Sequence, residues 1–245
     1  MPPQFSVIIP AYNEELRIGD SLRRILEYFD EQNVSFELIV VDDGSTDRTV
    51  AVSEDVFCSR VNCRVARQKR NCGKGAAVRR GIEESIGELI LFSDADLSTP
   101  IEELSRLRNA LQEGADIAIG SRALPNSEVE IHQPWYREYM GKAFNLLVRS
   151  ILWLPNPDTQ CGFKCFKKQV AKRLAKLQHI DGWAFDAELL FLAKKLGYHV
   201  ADVPVRWIND PGSKVGIFSS SSQMLWDVLK VRLRSLTGCQ DKNNG

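Results

Sequence analysis

Two carboxylates one residue apart stand near the middle of the chain, directly after a short apolar run. Asp94 and Asp96 follow the run LILF at residues 89–92, and such a run is typical of a strand buried on both faces. Because side chains alternate along an extended strand, we expect both carboxylates to point to the same side, with Cα atoms ~6.6 Å apart. Two such oxygen ligands suit one divalent cation that carries a phosphate-bearing ligand. The alternative is that the pair only begins a turn and caps a helix that starts near Pro100.

Three further polar clusters follow predicted strands or precede predicted helices. The loop at residues 11–15 follows the first strand, whose end we place at Pro10. Asp42 and Asp43 follow the second strand and could accept hydrogen bonds from a base imide or from ribose hydroxyls, although an Asp-Gly turn that caps a helix is the alternative. The turn NCGKG at residues 71–75 could bring backbone N–H groups and one lysine to a diphosphate, or it is a plain surface turn. It fits neither GxxxxGK(S/T) nor GxGxxG, which counts against a Walker A loop and a dinucleotide cofactor.

The elements that position these clusters alternate between strand and helix. We predict an α/β fold with one Rossmann-like, mostly parallel sheet and helices on both faces. Ligands of such sheets bind at the carboxyl ends of the strands, and the clusters that follow strands all lie at that edge. The predicted strands are residues 5–9, 36–41, 61–66, 89–92 and 116–119, and the predicted helices are residues 16–29, 47–58 and 76–85.

The composition is that of a soluble globular protein with no general affinity for nucleic acid. The 245 residues are 44% hydrophobic, and 32 basic side chains balance 32 acidic ones, so no excess of positive charge favours nucleic acid. No apolar run reaches the roughly 18 residues of a membrane span. The N-terminus has no charged region followed by an apolar one, so we expect no signal peptide and a cytoplasmic chain. The six cysteines are irregularly spaced and are expected to be thiols in a reducing compartment.

Nine segments together resemble a known family. FSVIIPAYNEE, VVDDGSTDRT, NCGKGAAVRRG and LFSDADLSTP resemble, in this order and spacing, the nucleotide-sugar half of a family 2 glycosyltransferase with a GT-A fold. GSRA, DTQCGFKCF, GWAFDAELL, VRWINDPGSKV and RLRSLTG resemble the dolichyl-phosphate β-glucosyltransferase branch. The related polyprenyl-phosphate mannose synthases share most of the first half. The resemblance covers nearly the whole chain.

The resemblance implies roles for residues of the first half. Asp94 and Asp96 match the metal and donor motif for Mg²⁺ or Mn²⁺, with Asp96 favoured as the direct ligand. Mannose synthases of this group often carry Gln two residues after the second Asp, whereas this chain has Ser98 there, which leaves a third protein ligand open. The implied donor-binding residues are Pro10, Tyr12, Glu14, Asp42 or Asp43, Gly73, Lys74 and Asp94.

The second half is expected to hold the acceptor. Arg122, which we count with Asp94 and Asp96 as catalytic, matches a basic residue near a lipid phosphate, since arginine binds phosphate bidentately. Arg137 is a second such residue, or else a solvated charge. Ser213 and Lys214 are implied as a second phosphate clamp. Asp186 or Glu188 would be the base for a hydroxyl acceptor, or else these residues orient the sugar or a helix terminus.

The implied activity is inverting transfer of glucose from UDP-glucose to a polyprenyl phosphate, dolichyl or undecaprenyl, which gives a β-linked product. The same reaction from GDP-mannose is the first alternative, and transfer to a hydroxyl acceptor is the second. A non-catalytic module that binds nucleotide sugars is a third, and the intact Asp94, Asp96, Lys74 and Arg122 count against it.

We expect one GT-A domain that reaches a membrane surface from the cytoplasmic side. The predicted domain spans residues 1–238 and consists of a nucleotide-sugar half at 1–122 and an acceptor and membrane-facing half at 123–238. A tail at 239–245 follows the domain. The basic amphipathic segment 223–238, which contains Trp226, and the aromatic-rich segment 131–154 are candidate peripheral contacts, or they simply pack on the domain. Human-type relatives carry an N-terminal membrane helix, and this chain begins almost at its first strand, so we expect a bacterial or archaeal source.

Overall fold

One large sheet organises the chain. The computed structural model describes residues 1–130, 135–208 and 217–236, with side chains for all of these except 135–137, 217–221 and 236. The strands in this part of the chain are β1 (Phe5–Ala11), β2 (Phe36–Asp42), β3 (Cys63–Arg67), β4 (Leu89–Ser93), β5 (Ile117–Ser121), β6 (Glu128–Val129), β7 (Phe163–Lys167), β8 (Val200–Pro204) and β9 (Arg206–Trp207). Seven of them form a sheet in the order β3-β2-β1-β4-β7-β5-β8, and β6 pairs with β9. Every pairing in the large sheet is parallel except the two made by β7.

Helices cover both faces of this sheet. They are α1 (Ile18–Gln32), α2 (Thr49–Phe57), α3 (Lys74–Glu84), α4 (Leu104–Gln112), α5 (Trp135–Leu152), α6 (Lys168–Leu177), α7 (Phe185–Lys195) and α8 (Ile217–Leu236). Along β1, Val7 and Ile9 pack with α1 and α4, whereas Ile8 packs with α3, α6 and α7, as the alternation of side chains along a strand requires. The predicted α/β class, with a mostly parallel sheet and helices on both faces, is confirmed.

The antiparallel strand β7 joins the two predicted halves of the chain. It lies between β4 and β5, with Ser93 opposite Phe163 and Ile119 opposite Lys164. Because β4 and β5 are both antiparallel to β7, they run in the same direction and end at the same edge. The residues that precede β7 therefore reach the carboxyl ends of β4 and β5. The backbone N–H of Asp94 donates to the carbonyl of Gly162 there, at 3.2 Å.

The first strand does not end at Pro10, so that boundary was wrong. Strand β1 pairs with β2 as far as Ala11 but with β4 only as far as Ile8. The carbonyl of Ala11 accepts from the N–H of Asp43 in the direction of β2, so the backbone of Pro10 faces the opposite side. Strand β4 does not pair with β1 as far along as Pro10. The missing N–H of this proline therefore removes no hydrogen bond between paired strands.

The last described helix has one buried face. Val228 and Val231 of α8 are each 1% exposed, and α8 packs on α5 and α7. Trp226 and Leu233 of the same helix are exposed. A purely interfacial helix with one apolar face is therefore not confirmed. None of the helices in the described ranges is long and apolar enough to cross a membrane, and the division into halves at residue 122 stays a prediction.

The contact between α3 and β1 gives a stability prediction. A Cβ at Gly81 would lie 2.4 Å from Cγ2 of Ile8 and 3.1 Å from Cγ2 of Val41, and β-branched core side chains have little rotamer freedom. We expect Gly81→Ala to lower the free energy of unfolding by roughly 1–3 kcal/mol, measured by urea denaturation.

The matched control is Gly141→Ala on α5, where a Cβ would meet nothing within 4 Å. We expect this change to raise the free energy of unfolding by about 0.5–1 kcal/mol, since alanine is the better helix former. Equal stability of the two variants would contradict the close approach of α3 to β1.

Candidate active site

The chain turns immediately after β4, and this changes how the two central carboxylates are presented. The N–H of Leu97 donates to the carbonyl of Asp94 at 3.1 Å, and Leu97 has a φ of 46°. The predicted extended strand end, with alternating side chains through residue 96, is therefore wrong, because Ala95 and Asp96 form the corner of a turn. The N–H of Ser98 donates to Oδ1 of Asp96 at 3.0 Å, which stabilises the turn from inside.

The two carboxylates nevertheless share one electrostatic environment. Burial raises the pKa of Asp96, and the neighbouring Asp94 raises it further. Arg17, at the start of α1, approaches Asp96 with an Nη1 to Oδ2 distance of 3.9 Å. Arg17 also pairs with Glu14. The loop after β1 and the turn after β4 therefore meet through opposite charges.

Lys74 neutralises Asp94. It is the first residue of α3, and its Nζ lies 2.5 Å from Oδ1 of Asp94. Burial alone would lower the pKa of Lys74, but Asp94, Asp186 and Asp96 raise it above its ordinary value. The ammonium therefore stays charged, at a helix N-terminus whose backbone N–H groups also favour anions.

A second buried pair extends this arrangement into the core. Lys164 on β7 has a fully buried side chain, and its Nζ lies 2.6 Å from Oδ1 of Asp186, at the start of α7. The same Nζ donates to the carbonyl of Cys161 at 2.5 Å. Burial raises the pKa of Asp186, and both Lys164 and Lys74 act against this rise. We call the resulting series the charge chain, and its members are Lys164, Asp186, Lys74, Asp94, Asp96 and Arg17.

The residues at this edge fit a divalent cation. No group of three or more His, Cys, Asp or Glu side chains suitable for a metal occurs in the described ranges. However, Mg²⁺ is commonly bound through one or two carboxylates together with substrate phosphates and water. Burial and the neighbouring Asp94 raise the pKa of Asp96, so a bound cation would favour the ionised form of this carboxyl group. Asp94 and Asp96 therefore form a suitable donor pair.

Asp43 holds the loop that leads into α3. Its carboxylate accepts from the N–H groups of Cys72 at 2.7 Å and Gly73 at 2.8 Å, and from Nε2 of Gln68 at 2.9 Å. Burial raises its pKa in spite of these hydrogen bonds. Asp42 is also buried and accepts from the N–H of Ser45 at 3.2 Å. Asp43 thus orders the predicted diphosphate loop, and direct contact of either residue with a base or ribose stays a prediction.

Hydrogen bonds join the predicted nucleotide loop after β1 to the loop after β2 and to the first residue of α2. The N–H of Glu14 donates to Oγ1 of Thr49 at 2.7 Å, and the N–H of Thr46 donates to Oδ1 of Asn13 at 2.9 Å. Tyr12 directly precedes these two anchored residues and is 42% exposed. The ring is therefore accessible at the same edge as the charge chain.

Arg122, directly after β5, is oriented by a buried aspartate. Its Nε and Nη2 lie 2.7 Å and 2.9 Å from the two carboxylate oxygens of Asp158, and its backbone N–H donates to the same side chain. The guanidinium lies 5.4 Å from the ring centre of Trp207. Although burial opposes ionisation, Arg122 and its hydrogen bonds lower the pKa of Asp158 to about 2. The bidentate pair uses one edge of a group that has five N–H donors.

Of the remaining predicted site residues, the two candidate bases are buried, and the side chains of the other acceptor-phosphate residues lie outside the part of the chain that the structure describes. Glu188 is 1% exposed and accepts from the N–H groups of His179 and Ile180, which favours a structural role for it. Asp186 is 4% exposed and belongs to the charge chain. Ser213 and Lys214 lie outside the described residues. The backbone of Arg137 belongs to α5, but its side chain lies outside them.

Sequence reasoning missed four side chains of this site. Arg17 has only its spacing of three from Glu14 as a signal. Lys164, Asp158 and Trp183 all lie in segments that carry the family resemblance, but they were given no role. Lys164 would have been found by asking why a lysine stands in an apolar strand, because a fully buried lysine requires a partner.

Comparisons with known proteins show the family to which this chain belongs. Residues 6–175 match the family described as Glycosyl transferase family 2. A dolichyl-phosphate beta-glucosyltransferase of Mus musculus is 39% identical over 249 residues, which cover 96% of this chain and 76% of the relative. The protein of the same name from Dictyostelium discoideum is 37% identical over 245 residues, which cover 95% of this chain and 75% of the relative.

Solved structures of similar fold include a complex with a metal ion and UDP. Glucosyl-3-phosphoglycerate synthase of Mycobacterium tuberculosis, in complex with Mn²⁺, UDP and glucosyl-3-phosphoglycerate, has a TM-score of 0.69 and 23% identity over 99% of this chain and 83% of that one. Mannosyl-3-phosphoglycerate synthase of Rubrobacter xylanophilus has a TM-score of 0.70 and 18% identity over 99% of this chain and 77% of that one. At these identities, the likeness shows the GT-A type of fold.

The pair between Arg122 and Asp158 gives a pH-dependent prediction. A carboxyl group whose pKa is about 2 in the folded protein and about 3.9 in the unfolded chain contributes roughly 2–3 kcal/mol of stability above the unfolded pKa. This contribution is lost as the pH falls through the folded pKa, and about half is gone at pH 3. We therefore expect the difference in unfolding free energy between the wild type and Asp158→Asn to be constant from pH 7 to 5 and to narrow toward pH 3.

The control is Asp30→Asn, which breaks an exposed bidentate pair with Arg60. Solvent screens that pair, so its loss is expected to change the stability by less than about 1 kcal/mol. A difference for Asp158→Asn that stays constant down to pH 3 would contradict the buried ion pair.

Proposed function

This chain belongs to glycosyl transferase family 2, and from this premise we propose that it transfers glucose from UDP-glucose to a polyprenyl phosphate with inversion of the anomeric centre. The acceptor class comes from relatives named dolichyl-phosphate beta-glucosyltransferases. The donor class is supported by neighbours of like fold that bind UDP with Mn²⁺ or Mg²⁺. The observation in this chain that carries the proposal is the charge chain at the carboxyl edge of the sheet.

The donor half supplies positive charge to a diphosphate from the start of a helix, after a loop that a buried carboxylate orders. Lys74 stands at the N-terminus of α3, and Asp43 orders the preceding loop through the N–H groups of Cys72 and Gly73. Mg²⁺ or Mn²⁺ bound by Asp94 and Asp96 would supply Lewis-acid neutralisation of the leaving diphosphate. Lys74 adds a second positive charge next to Asp94, where negative charge develops as the bond to the sugar breaks.

The acceptor half needs to position a phosphate and not to deprotonate it. A phosphate monoester has a second pKa of about 6, so it is already a nucleophile at neutral pH. Arg122 is held by Asp158 at the same edge and can orient such a phosphate bidentately. A single in-line displacement opposite the leaving diphosphate then inverts an α-linked donor to a β-linked product.

The state of the two candidate bases favours a phosphate acceptor over a hydroxyl acceptor. A hydroxyl acceptor requires a carboxylate within hydrogen-bonding reach of its proton. Glu188 accepts from two backbone N–H groups, and Asp186 is paired with Lys164. Neither carboxylate is exposed. Transfer from GDP-mannose remains the alternative donor reaction.

Exposed apolar side chains on α5, on α8 and directly after α5 support a peripheral contact with a membrane. We define the apolar surface by six exposed side chains, which are Tyr139, Leu146, Leu147, Trp153, Trp226 and Leu233. Basic groups accompany its tryptophans, since the guanidinium of Arg232 lies 4.5 Å from the ring centre of Trp153 and Nζ of Lys230 lies 5.9 Å from that of Trp226. Tryptophan with lysine or arginine is typical of surfaces that bind anionic lipids. Such a contact would let the enzyme reach a lipid-linked acceptor from the cytoplasmic side.

A donor screen tests the proposed reaction. Purified protein is incubated with Mg²⁺ or Mn²⁺, a short-chain polyprenyl phosphate and, in turn, UDP-glucose, UDP-galactose, UDP-N-acetylglucosamine and GDP-mannose. We expect a glucosyl lipid with a β linkage to form only from UDP-glucose and only with metal. Transfer from GDP-mannose alone would show that the donor is GDP-mannose and not UDP-glucose. No transfer from any of the four donors would overturn polyprenyl phosphate as the acceptor.

Asp96→Asn is the informative variant in this assay. Asparagine keeps an acceptor for the N–H of Ser98 but removes the charge, so we expect transfer to fall by roughly a hundredfold or more. The free energy of unfolding is expected not to fall, because the raised pKa of Asp96 means that its ionisation opposes folding. Asp20→Asn, which removes an exposed carboxylate paired with Arg23, is the matched control and is expected to retain activity.

Binding to vesicles tests the apolar surface. We expect the wild type to bind vesicles that contain anionic lipid and the double variant Trp226→Ser with Leu233→Ser to bind at least about tenfold more weakly, since burial of each apolar side chain contributes about 1.5–3 kcal/mol. Sedimentation with vesicles measures this.

The control is the double variant Val61→Ser with Ile86→Ser. Both side chains are exposed. Val61 precedes β3 and Ile86 precedes β4, so both lie at the amino edge of the sheet, opposite to the edge that carries the charge chain. Equal loss of vesicle binding in the two double variants would show that the apolar surface is not the contact.

A further inference from the structure

The segment 178–183, between α6 and α7, lies directly against the start of α3. The N–H of Ala76 donates to the carbonyl of Asp181 at 3.1 Å. A Cβ at Gly73 would lie 2.4 Å from the carbonyl oxygen of Asp181, and a Cβ at Gly75 would lie 2.5 Å from that of Ile180. Gly73 also has a φ of 106°, which favours glycine. The two glycines therefore permit a backbone contact that any larger residue would prevent.

Side chains fasten this segment in place. Nη2 of Arg79 lies 2.6 Å from Oδ1 of Asp181, and Nε2 of Gln178 donates to the carbonyl of Gly75 at 2.9 Å. The carboxylate of Glu188 accepts from the N–H of Ile180 at 2.8 Å. The position of Trp183, the last residue of this segment, is therefore fixed relative to the start of α3.

Trp183 contacts Lys74 from the side that faces solvent. Nζ of Lys74 lies 5.2 Å from the ring centre of Trp183, within the range of a cation–π contact. Trp183 is 43% exposed, whereas the following Ala184 and Phe185 are 2% and 0% exposed. The indole thus contributes little to the core, yet it lies beside the ammonium that pairs with Asp94.

We propose that Trp183 is a positioning residue of the donor site, where it holds the ammonium of Lys74 toward the diphosphate of a nucleoside diphosphate sugar. The inference rests on the proposed function and names a residue that the function did not require. When a diphosphate binds, the ammonium of Lys74 exchanges part of its contact with Asp94 for phosphate oxygens. The indole contacts the ammonium in both arrangements and therefore limits the directions that the flexible lysine side chain can take.

Calorimetric titration with UDP in the presence of Mg²⁺ tests this. We expect Trp183→Leu to raise the Kd for UDP about 3- to 30-fold, the range that corresponds to loss of a cation–π contact. Trp183→Phe keeps an aromatic ring and is expected to restore most of the affinity. Trp226→Leu removes an exposed indole beside Lys230, on the apolar surface and not beside Lys74, and is expected to leave the Kd for UDP unchanged in the absence of lipid.

A double-mutant cycle separates positioning from a general structural effect. Because the indole acts through the ammonium, Trp183→Leu is expected to have no further effect on the Kd for UDP in a Lys74→Met background. An equal loss of affinity in both backgrounds would overturn the proposal, as would an unchanged Kd in Trp183→Leu.

Tryptophan fluorescence is the second measurement, used if Trp183→Leu does not fold. We then expect UDP to change the fluorescence of the wild type and not that of Trp183→Phe. A wild-type fluorescence that UDP leaves unchanged, or an equal change in Trp183→Phe, would overturn the proposal. If the wild type binds no nucleoside diphosphate, the proposed function fails as well. The donor screen tests the proposed function independently of this titration.

Discussion

The ion pair between Lys74 and Asp94 is the interaction on which the candidate site depends. Asp94, Asp96 and Asp186 all act on the pKa of Lys74, and like charges this close cannot all ionise without compensation. Lys74 provides that compensation from a helix N-terminus, while Lys164 pairs with Asp186 and Arg17 approaches Asp96. The pairing also keeps a cation where a diphosphate would need one. The requirement for a stable apo protein and the requirement for anion binding are thus met by the same side chain.

Elements that are local in sequence were predictable, and contacts made by distant segments were not. Apolar runs identified β1, β2 and β4, because a buried parallel strand has a recognisable composition. The alternation of strands with helices predicted a mostly parallel sheet. The position of β7 between β4 and β5 could not be read, since nothing in FKCFK at residues 163–167 specifies which strands it pairs with. Pro10 was misread for the same reason. Its effect depends on where β4 stops, which is a property of a different segment.

Within the site, the residue types were easier to predict than their partners. Asp94, Asp96 and Lys74 are recognisable by type and motif, and the fold brings them together. Arg17 and Asp158 act through pairing with residues 79 and 36 positions away, and no local pattern encodes such a pair. Asp43 illustrates the converse, because its motif suggested a ligand contact, whereas its hydrogen bonds order the loop before α3. A motif therefore identifies an important position without fixing whether the side chain faces the ligand or supports a neighbour.

The strand β7 has a consequence for how such enzymes can be recombined. It comes from the second half of the chain but fills the gap between β4 and β5, and Gly162 before it lies against the carboxylate of Asp94. A chimera joined after residue 122 would therefore place a foreign strand in the centre of the sheet and a foreign backbone next to the candidate metal ligand. A junction after β7 would keep the interior strand pairing native and exchange only the covering helices and the outer strands. In this fold, the unit of modular exchange is set by strand pairing and not by which substrate a segment contacts.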